Sequence, residues 1–131
     1  MENKIKHLEF IQGIINRLAN NSFLIKGWCV TIVAALTALS ASGANQTFIL
    51  IAYFPIFVFW LLDSYYLWQE RLFRGHYDEV RQKNENNIDF SMKLSKEIQK
   101  KNSFIDTVFS RTILPFYLVL MATIIILMKI I

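Results

Sequence analysis

Three long apolar stretches and two polar segments make up this chain of 131 residues. Residues 48–62 are uniformly apolar, and residues 27–44 and 112–128 contain no charged side chain. A helix needs about 20 apolar residues to cross a hydrocarbon core of about 30 Å. Because unpaired backbone N–H and C=O groups are too costly in lipid, apolar segments of this length span the membrane as helices. The pattern therefore predicts an all-α integral membrane protein. We expect three transmembrane helices, at residues 23–44, 46–68 and 112–130.

The N-terminal segment, residues 1–21, has the pattern of an amphipathic helix. Its apolar residues recur at spacings of three and four: Leu8, Ile11, Ile15 and Leu18. Polar residues at 20–22 interrupt this pattern and could cap a new helix. We expect a separate amphipathic helix at the cytosolic face of the membrane. The alternative is one longer, straight helix that projects into water.

The middle segment, residues 69–111, is predicted to lie in the cytosol as helices joined by a loop. Its first part, to Arg81, continues the second apolar helix, residues 83–89 form a polar loop, and residues 91–102 form a short basic helix. Nine Lys and Arg residues alternate with seven Asp and Glu residues along the segment. This mixture is typical of a solvated helix face, so no nucleic-acid partner is predicted.

The distribution of positive charge predicts the orientation. Basic residues precede the first apolar stretch and follow the second, whereas the connection at residues 42–46 has no charge. The positive-inside rule then places the N-terminus and the middle segment in the cytosol and the C-terminus outside. We expect one membrane domain, residues 1–131, in a bacterial inner (plasma) membrane.

Small residues follow one side of the first span at spacings of three and four. We call this set the small-residue face: Gly27, Thr31, Ala35, Ala38 and Ser42. Small side chains allow close helix approach in lipid. The face could pack against the second span of the same chain, or it could join copies into a homo-oligomer. In the second span, Pro55 predicts a kink.

Asp63 is the acidic residue within the three predicted spans. A carboxylate in a bilayer is costly and normally meets a partner or water. In an antiparallel hairpin, Lys26 reaches a similar depth, so we predict a Lys26–Asp63 ion pair, or an Asp63 that lines a cytosol-facing cavity. The pair could fix the register of the hairpin or take part in ion conduction or gating.

No catalytic motif stands out, and the chain is predicted not to be an enzyme and to use no cofactor. Cys29 is a lone cysteine, and His7 has no companion at metal-ligand spacing. Arg71 and His76 have the R-x4-H spacing of HEPN ribonucleases, but a match to two residues is common by chance. We instead group Arg71, Arg74 and His76 as a predicted cytosolic regulatory face.

Three short blocks resemble a group of small bacterial membrane proteins. They are residues 21–28 (with Asn-Ser-Phe and Lys-Gly-Trp), residues 59–74 and residues 110–117. The layout is also similar to SLATT-type effectors of prokaryotic conflict systems, in which a transmembrane hairpin follows a cytosolic helix. This resemblance implies a dormant protein that a cytosolic sensor triggers to assemble and breach the membrane during phage infection.

Two functions follow as predictions. In the first, copies assemble in the lipid bilayer and permeabilise it as an effector of antiphage defence. In the second, the protein is a non-conducting membrane adaptor that anchors or recruits a cytosolic partner protein through residues 1–20 and 69–102. An ion-coupled transporter is disfavoured, because three spans with a single acidic group offer too small a pathway.

Overall fold

The computed structural model describes residues 2–42 and 47–130, without the side chains of residues 48 and 49. The described residues contain helices and no strand, which confirms the all-α prediction for this part of the chain. Most of the connection predicted at residues 42–46 lies outside the described residues. The helices are α1 (Glu2–Ala41), α2 (Thr47–Ile51), α3 (Tyr53–Arg81), α4 (Lys96–Lys101), α5 (Phe104–Val108) and α6 (Leu114–Ile130), with a 3-10 turn at Glu85–Asn87.

Helix α1 is continuous over 40 residues. The predicted boundary at residues 20–22 is wrong, and the longer single helix is the form observed. The reason is tertiary packing, which overrides the local polar interruption. Inward-facing residues continue along one side of α1 on both sides of the interruption, from Ile11 and Ile15 to Ile25 and Cys29. All of this side packs along α3, which runs antiparallel to α1.

Pro55 explains why the second apolar stretch is divided. Proline lacks a backbone N–H, and its ring clashes with the carbonyl four residues earlier, here that of Ile51. Helix α2 ends at Ile51, and α3 begins after the turn at Ala52. Helix α3 then continues without a break through residues 69–81, as the sequence predicts.

After the loop, the chain returns along α3. Trp68 Nε1 donates a hydrogen bond to the Asn102 carbonyl (2.9 Å), and Trp60 Nε1 donates to the Val108 carbonyl (3.0 Å). These bonds fix the return segment in an antiparallel direction. The helix predicted at 91–102 is shorter than expected, because it starts only after Ser95, whose hydroxyl accepts a hydrogen bond from the Ile98 N–H.

Helix α6 packs against α3 and completes a three-helix bundle with α1. Tyr117 and Ile124 face the bundle and are buried. One core lies between the three helices, around Cys29, Ile56 and Tyr117. A second core, around Ile11 and Val80, lies where α1 and α3 extend beyond α6.

We call the α6-containing end, residues 27–41, 47–62 and 114–128, the apolar half of the bundle. Among the described helices, α1 is the one that is both long and apolar enough to cross a membrane by length and composition, and α6 is apolar but has 17 residues. The predicted three spans are therefore not confirmed by this criterion. The second predicted span does not meet the criterion of length and composition for two reasons. The helix is broken at Ala52, and the other half of α3 carries charged residues.

Candidate functional site

Three helices meet at a single carboxylate, that of Asp63. We call this group the Asp63 cluster: Ser22 and Lys26 on α1, Asp63 on α3, and Tyr117 on α6. Asp63 is buried, and its Oδ2 lies 2.5 Å from Lys26 Nζ. The Tyr117 hydroxyl donates to the same Oδ2 (2.9 Å), and the Ser22 hydroxyl donates to Oδ1. The carboxylate therefore has a partner from each of the two neighbouring helices.

The partners of Asp63 are themselves held in place. Lys26 Nζ also donates to Ser22 Oγ (3.0 Å) and lies 5.9 Å from the centre of the Phe116 ring. The Lys26 side chain is 22% exposed, so the cluster reaches the bundle surface at this residue. A buried carboxylate is tolerated when it is paired and fully hydrogen-bonded. The cluster thus links α1, α3 and α6 at one level of the bundle.

The structure brings together the two residues that the sequence predicts as an ion pair, Lys26 and Asp63. It adds Ser22 and Tyr117, which sequence reasoning missed. Ser22 lies one helical turn before Lys26, so its position on the same side could have been inferred. No sequence signal indicated Tyr117, because α6 is apolar on all sides and its rotation is not fixed by composition.

The small-residue face is exposed along its whole length. Gly27, Thr31, Ala35, Ala38 and Ser42 all point away from the bundle. The core-facing residues of α1 in this region, such as Cys29 and Val33, lie on the opposite side of the helix. A Cβ added at Gly27 would meet no atom within 4 Å. Within the chain, then, this face is not used to pack α1 against α3.

The predicted cytosolic regulatory face is divided in the structure. Arg74 is exposed, and its Nε lies 3.6 Å from Glu70 Oε2. Arg71 is half-buried, whereas His76 is buried on the side of α3 that faces α1. These three residues therefore do not form one surface, because positions 71 and 74 are neighbours on one face of α3, whereas position 76 lies on another.

His76 belongs to a second polar group, which we call the histidine cluster: His7, His76 and the Ser91 carbonyl. The Nε2 atoms of His7 and His76 lie 2.9 Å and 2.6 Å from the Ser91 carbonyl oxygen. Since a carbonyl oxygen only accepts, both imidazoles donate from Nε2. Both rings are buried, and neither Nδ1 has a hydrogen-bond partner among the described residues. This cluster joins the start of α1, the C-terminal part of α3 and the loop.

The loop beside the histidine cluster is held in an uncommon conformation. Phe90 has φ of 55°, in the left-handed region that non-glycine side chains rarely adopt. Its ring lies against His7 (5.5 Å between ring centres) and Phe10 (6.0 Å). The Glu85 carboxylate accepts hydrogen bonds from the backbone N–H groups of Asn3 (2.8 Å) and Lys4 (3.1 Å). The loop therefore caps the N-terminus of α1, which would otherwise have unpaired N–H groups.

The histidine cluster was not predicted, although the antiparallel register contained a hint. If Lys26 lies opposite Asp63 in an antiparallel pair, His7 lies opposite positions near 80 on α3. These positions are within two helical turns of His76. Within residues 2–42 and 47–130, no group of three or more His, Cys, Asp or Glu residues could hold a metal ion. No protein-family model, curated protein or solved structure matches this chain.

Proposed function

We propose that this protein is a small integral membrane protein of the bacterial inner membrane, and that it assembles into homo-oligomers that permeabilise the membrane as an effector in antiphage defence. The observation that carries this proposal is the small-residue face, which is exposed on an apolar helix and is not covered by the described residues.

The membrane location rests on the exterior of the apolar half. Large apolar side chains point outward on all three helices, among them Trp28 (58% exposed), Phe54 (72%) and Val119 (64%). No Asp, Glu, Lys or Arg occurs in residues 27–41, 47–62 or 114–128. Contiguous apolar surface on this scale is unfavourable in water and favourable in lipid. On α1, residues 23–41 extend about 28 Å, close to the thickness of a hydrocarbon core.

The orientation rests on charge and aromatic residues at one level of the bundle. Lys26 and Asp63 mark the end of the apolar half, and the exposed rings of Trp28 and Tyr65 lie near this level on α1 and α3. Aromatic rings favour the membrane interface, and basic residues favour the cytosolic side. We therefore place the N-terminus, the histidine cluster and the loop in the cytosol, and the C-terminus outside.

Assembly is supported by the composition of the small-residue face. In lipid, helices associate where small residues allow their backbones to approach closely. The other exposed sides of the apolar half present large residues such as Phe57 and Ile126, which suit lipid contact. A second copy of α1 is thus the partner that this face fits best.

An adaptor that does not conduct ions is the second candidate, and one observation favours it. The hydroxyls of the small-residue face are already bonded to their own helix, Thr31 Oγ1 to the Gly27 carbonyl and Ser42 Oγ to the Leu39 carbonyl. They are poor groups for lining a water-filled pore. In this alternative, the protein anchors or recruits a cytosolic partner protein through its polar half.

The deciding experiment measures membrane potential with a voltage-sensitive dye in bacteria that overproduce the protein. The effector proposal predicts depolarisation by the unaltered chain and its loss in Ala35→Leu and Ala38→Leu, whose added bulk blocks close approach. Ala122→Leu is the matched control, because Ala122 is exposed on α6, away from the small-residue face. Crosslinking in membranes reports assembly in parallel.

Three results would contradict parts of the proposal. A normal potential together with intact oligomers favours the adaptor. A monomer in membranes removes the assembly step. Equal loss of depolarisation in Ala122→Leu shows that the small-residue face has no special role. Plaque counts on cells that carry the protein at native level test the predicted role in antiphage defence.

A further inference from the structure

A cavity of about 330 Å³ lies between the end of α3 and the loop that follows it. We call it the basic cavity, because three of its lining residues are Lys83, Lys93 and Lys96. Its volume is at the small end of the range of about 300–1,000 Å³ that is usual for ligand sites. A small molecule therefore fits it better than a folded partner does.

The two acidic residues of the basic cavity are already bonded to the loop. Ser95 Oγ donates to Glu79 Oε1 (2.8 Å), and the Ser91 N–H donates to Asp89 Oδ1 (3.0 Å). By contrast, within the part of the chain that the structure describes, no carboxylate lies within 4 Å of the ammonium groups of the three lysines. The cavity therefore has more unpaired donors than acceptors.

The titration of Asp89 agrees with a positive environment. The hydrogen bond from the Ser91 N–H is the largest cause that lowers the pKa of Asp89 below its ordinary value of 3.8, and the charges of Lys83 and His7 lower it further.

The basic cavity shares two residues with the histidine cluster. His76 is 4% exposed and lines the cavity, and Ser91 lines it as well. The Ser91 carbonyl accepts from both imidazoles, and the backbone N–H of Lys93 donates to Ser91 Oγ (3.1 Å). A ligand that holds Lys93 in place therefore also holds the loop against His7 and His76.

We propose that the basic cavity binds a small phosphorylated molecule through Lys83, Lys93 and Lys96, and that binding stabilises the histidine cluster. Lysine is a common phosphate ligand, and a phosphate dianion balances more of the lysine charge than a single carboxylate does. The ligand site stands whether or not the protein permeabilises membranes. Its location in the cytosol and the preference for a free molecule over a lipid headgroup rest on the proposed function.

A free molecule fits this site better than a lipid headgroup. His76 lies about 20 Å along α3 from Asp63, at 1.5 Å per residue. The headgroup region on each side of a bilayer is only about 5–8 Å thick. With Asp63 near the membrane surface, the basic cavity is too far from the membrane for a headgroup to enter it.

The test uses the full-length protein in detergent, titrated with inorganic pyrophosphate and with AMP in a calorimeter. We expect saturable binding that weakens as salt is raised. The triple variant Lys83→Gln/Lys93→Gln/Lys96→Gln should bind about tenfold more weakly or not at all. The matched control is Lys4→Gln/Lys6→Gln/Lys100→Gln, which removes the same charge outside the cavity and should bind normally.

Hydrogen exchange measures the coupling between ligand binding and the histidine cluster. We expect pyrophosphate to slow exchange of the amides at residues 88–94 in the unaltered protein but not in the cavity variant. The proposal is overturned if neither probe binds, or if both triple variants lose affinity equally, which indicates unspecific attraction. It is also overturned if binding disappears in bilayer discs that contain phosphatidylglycerol but not in discs of phosphatidylcholine, which indicates a lipid headgroup site. Equal melting temperatures of the unliganded variants establish that they are folded.

Discussion

His7 and His76 donate hydrogen bonds to the same acceptor, the Ser91 carbonyl oxygen, and their ring centres lie 5.7 Å apart. His7 lies near the start of α1 and His76 near the end of α3, at the same end of this antiparallel pair, and the acceptor comes from the loop. One backbone atom therefore ties α1, α3 and the loop together. Because both rings are buried, loss of either donor leaves a cavity and weakens the attachment of the loop.

The first prediction concerns this attachment. His7→Ala and His76→Ala should each destabilise the loop by about 1–3 kcal/mol, since each removes a buried hydrogen bond and its packing. Amide exchange at residues 88–94 should become faster, while exchange in α6 stays unchanged. Lys6→Ala, next to His7 but exposed, is the control. Unchanged exchange in the loop of both histidine variants would show that the cluster is not what holds it.

A second prediction tests the bond between α6 and the Asp63 cluster. Tyr117→Phe removes one donor to Asp63 Oδ2 and leaves the ring in place, so the free energy of unfolding should fall by about 1–3 kcal/mol. Tyr53→Phe is the control, because among the described residues the hydroxyl of Tyr53 makes only a long contact, to Met128 Sδ (3.8 Å). Unfolding of both variants in mixed micelles gives the comparison. Equal losses would mean that the contact with Asp63 contributes nothing specific.

The third prediction is that Lys26 and Asp63 are energetically coupled. Removing one partner of a buried ion pair costs about 3–5 kcal/mol, and the partial exposure of Lys26 puts Lys26→Met at the lower end of this range. Adding Asp63→Asn to Lys26→Met should recover part of the loss, because the uncompensated charge disappears. A double-mutant cycle measures this coupling. Additive effects of the two substitutions would contradict it.

A fourth prediction follows from the lowered pKa of Asp89. A carboxyl whose pKa is lower in the folded state stabilises that state above its unfolded pKa, and the contribution disappears as the pH falls through the folded pKa. The loop should therefore become more susceptible to exchange and proteolysis only below the ordinary aspartate value of 3.8. Asp89→Asn should abolish this step. A ¹³C carboxyl titration with a midpoint at or above the ordinary value would contradict the prediction.

The Lys26–Asp63 contact could be predicted from the sequence because it depends only on where the apolar stretches end. Lys26 and Asp63 each lie at such an end, so their depth, and hence their proximity, followed from the hairpin. His7 and His76 lie in segments where the helical phase decides which residues meet. An error of one residue in register over several turns moves a side chain to another face of the helix.

The continuity of α1 could not be read from the sequence for a different reason. The polar residues at 20–22 resemble a helix boundary, and their local preference is real. In the fold, however, Ser22 has a buried carboxylate as its partner, and it lies inside one continuous helix instead of capping the start of a new one. Tertiary contacts of this kind do not appear in the hydrophobic periodicity of the sequence.

The unbroken course of α1 has a mechanical consequence. Helix α1 has 40 residues, is about 60 Å long and is not interrupted between its N-terminus and its C-terminus. Any twist that the loop imposes on the tip must turn Ala35 and Ala38 by a similar angle, since a regular helix resists torsion along its axis. In the proposed oligomer, the orientation that one subunit offers to its neighbour is therefore set from the opposite end of the molecule.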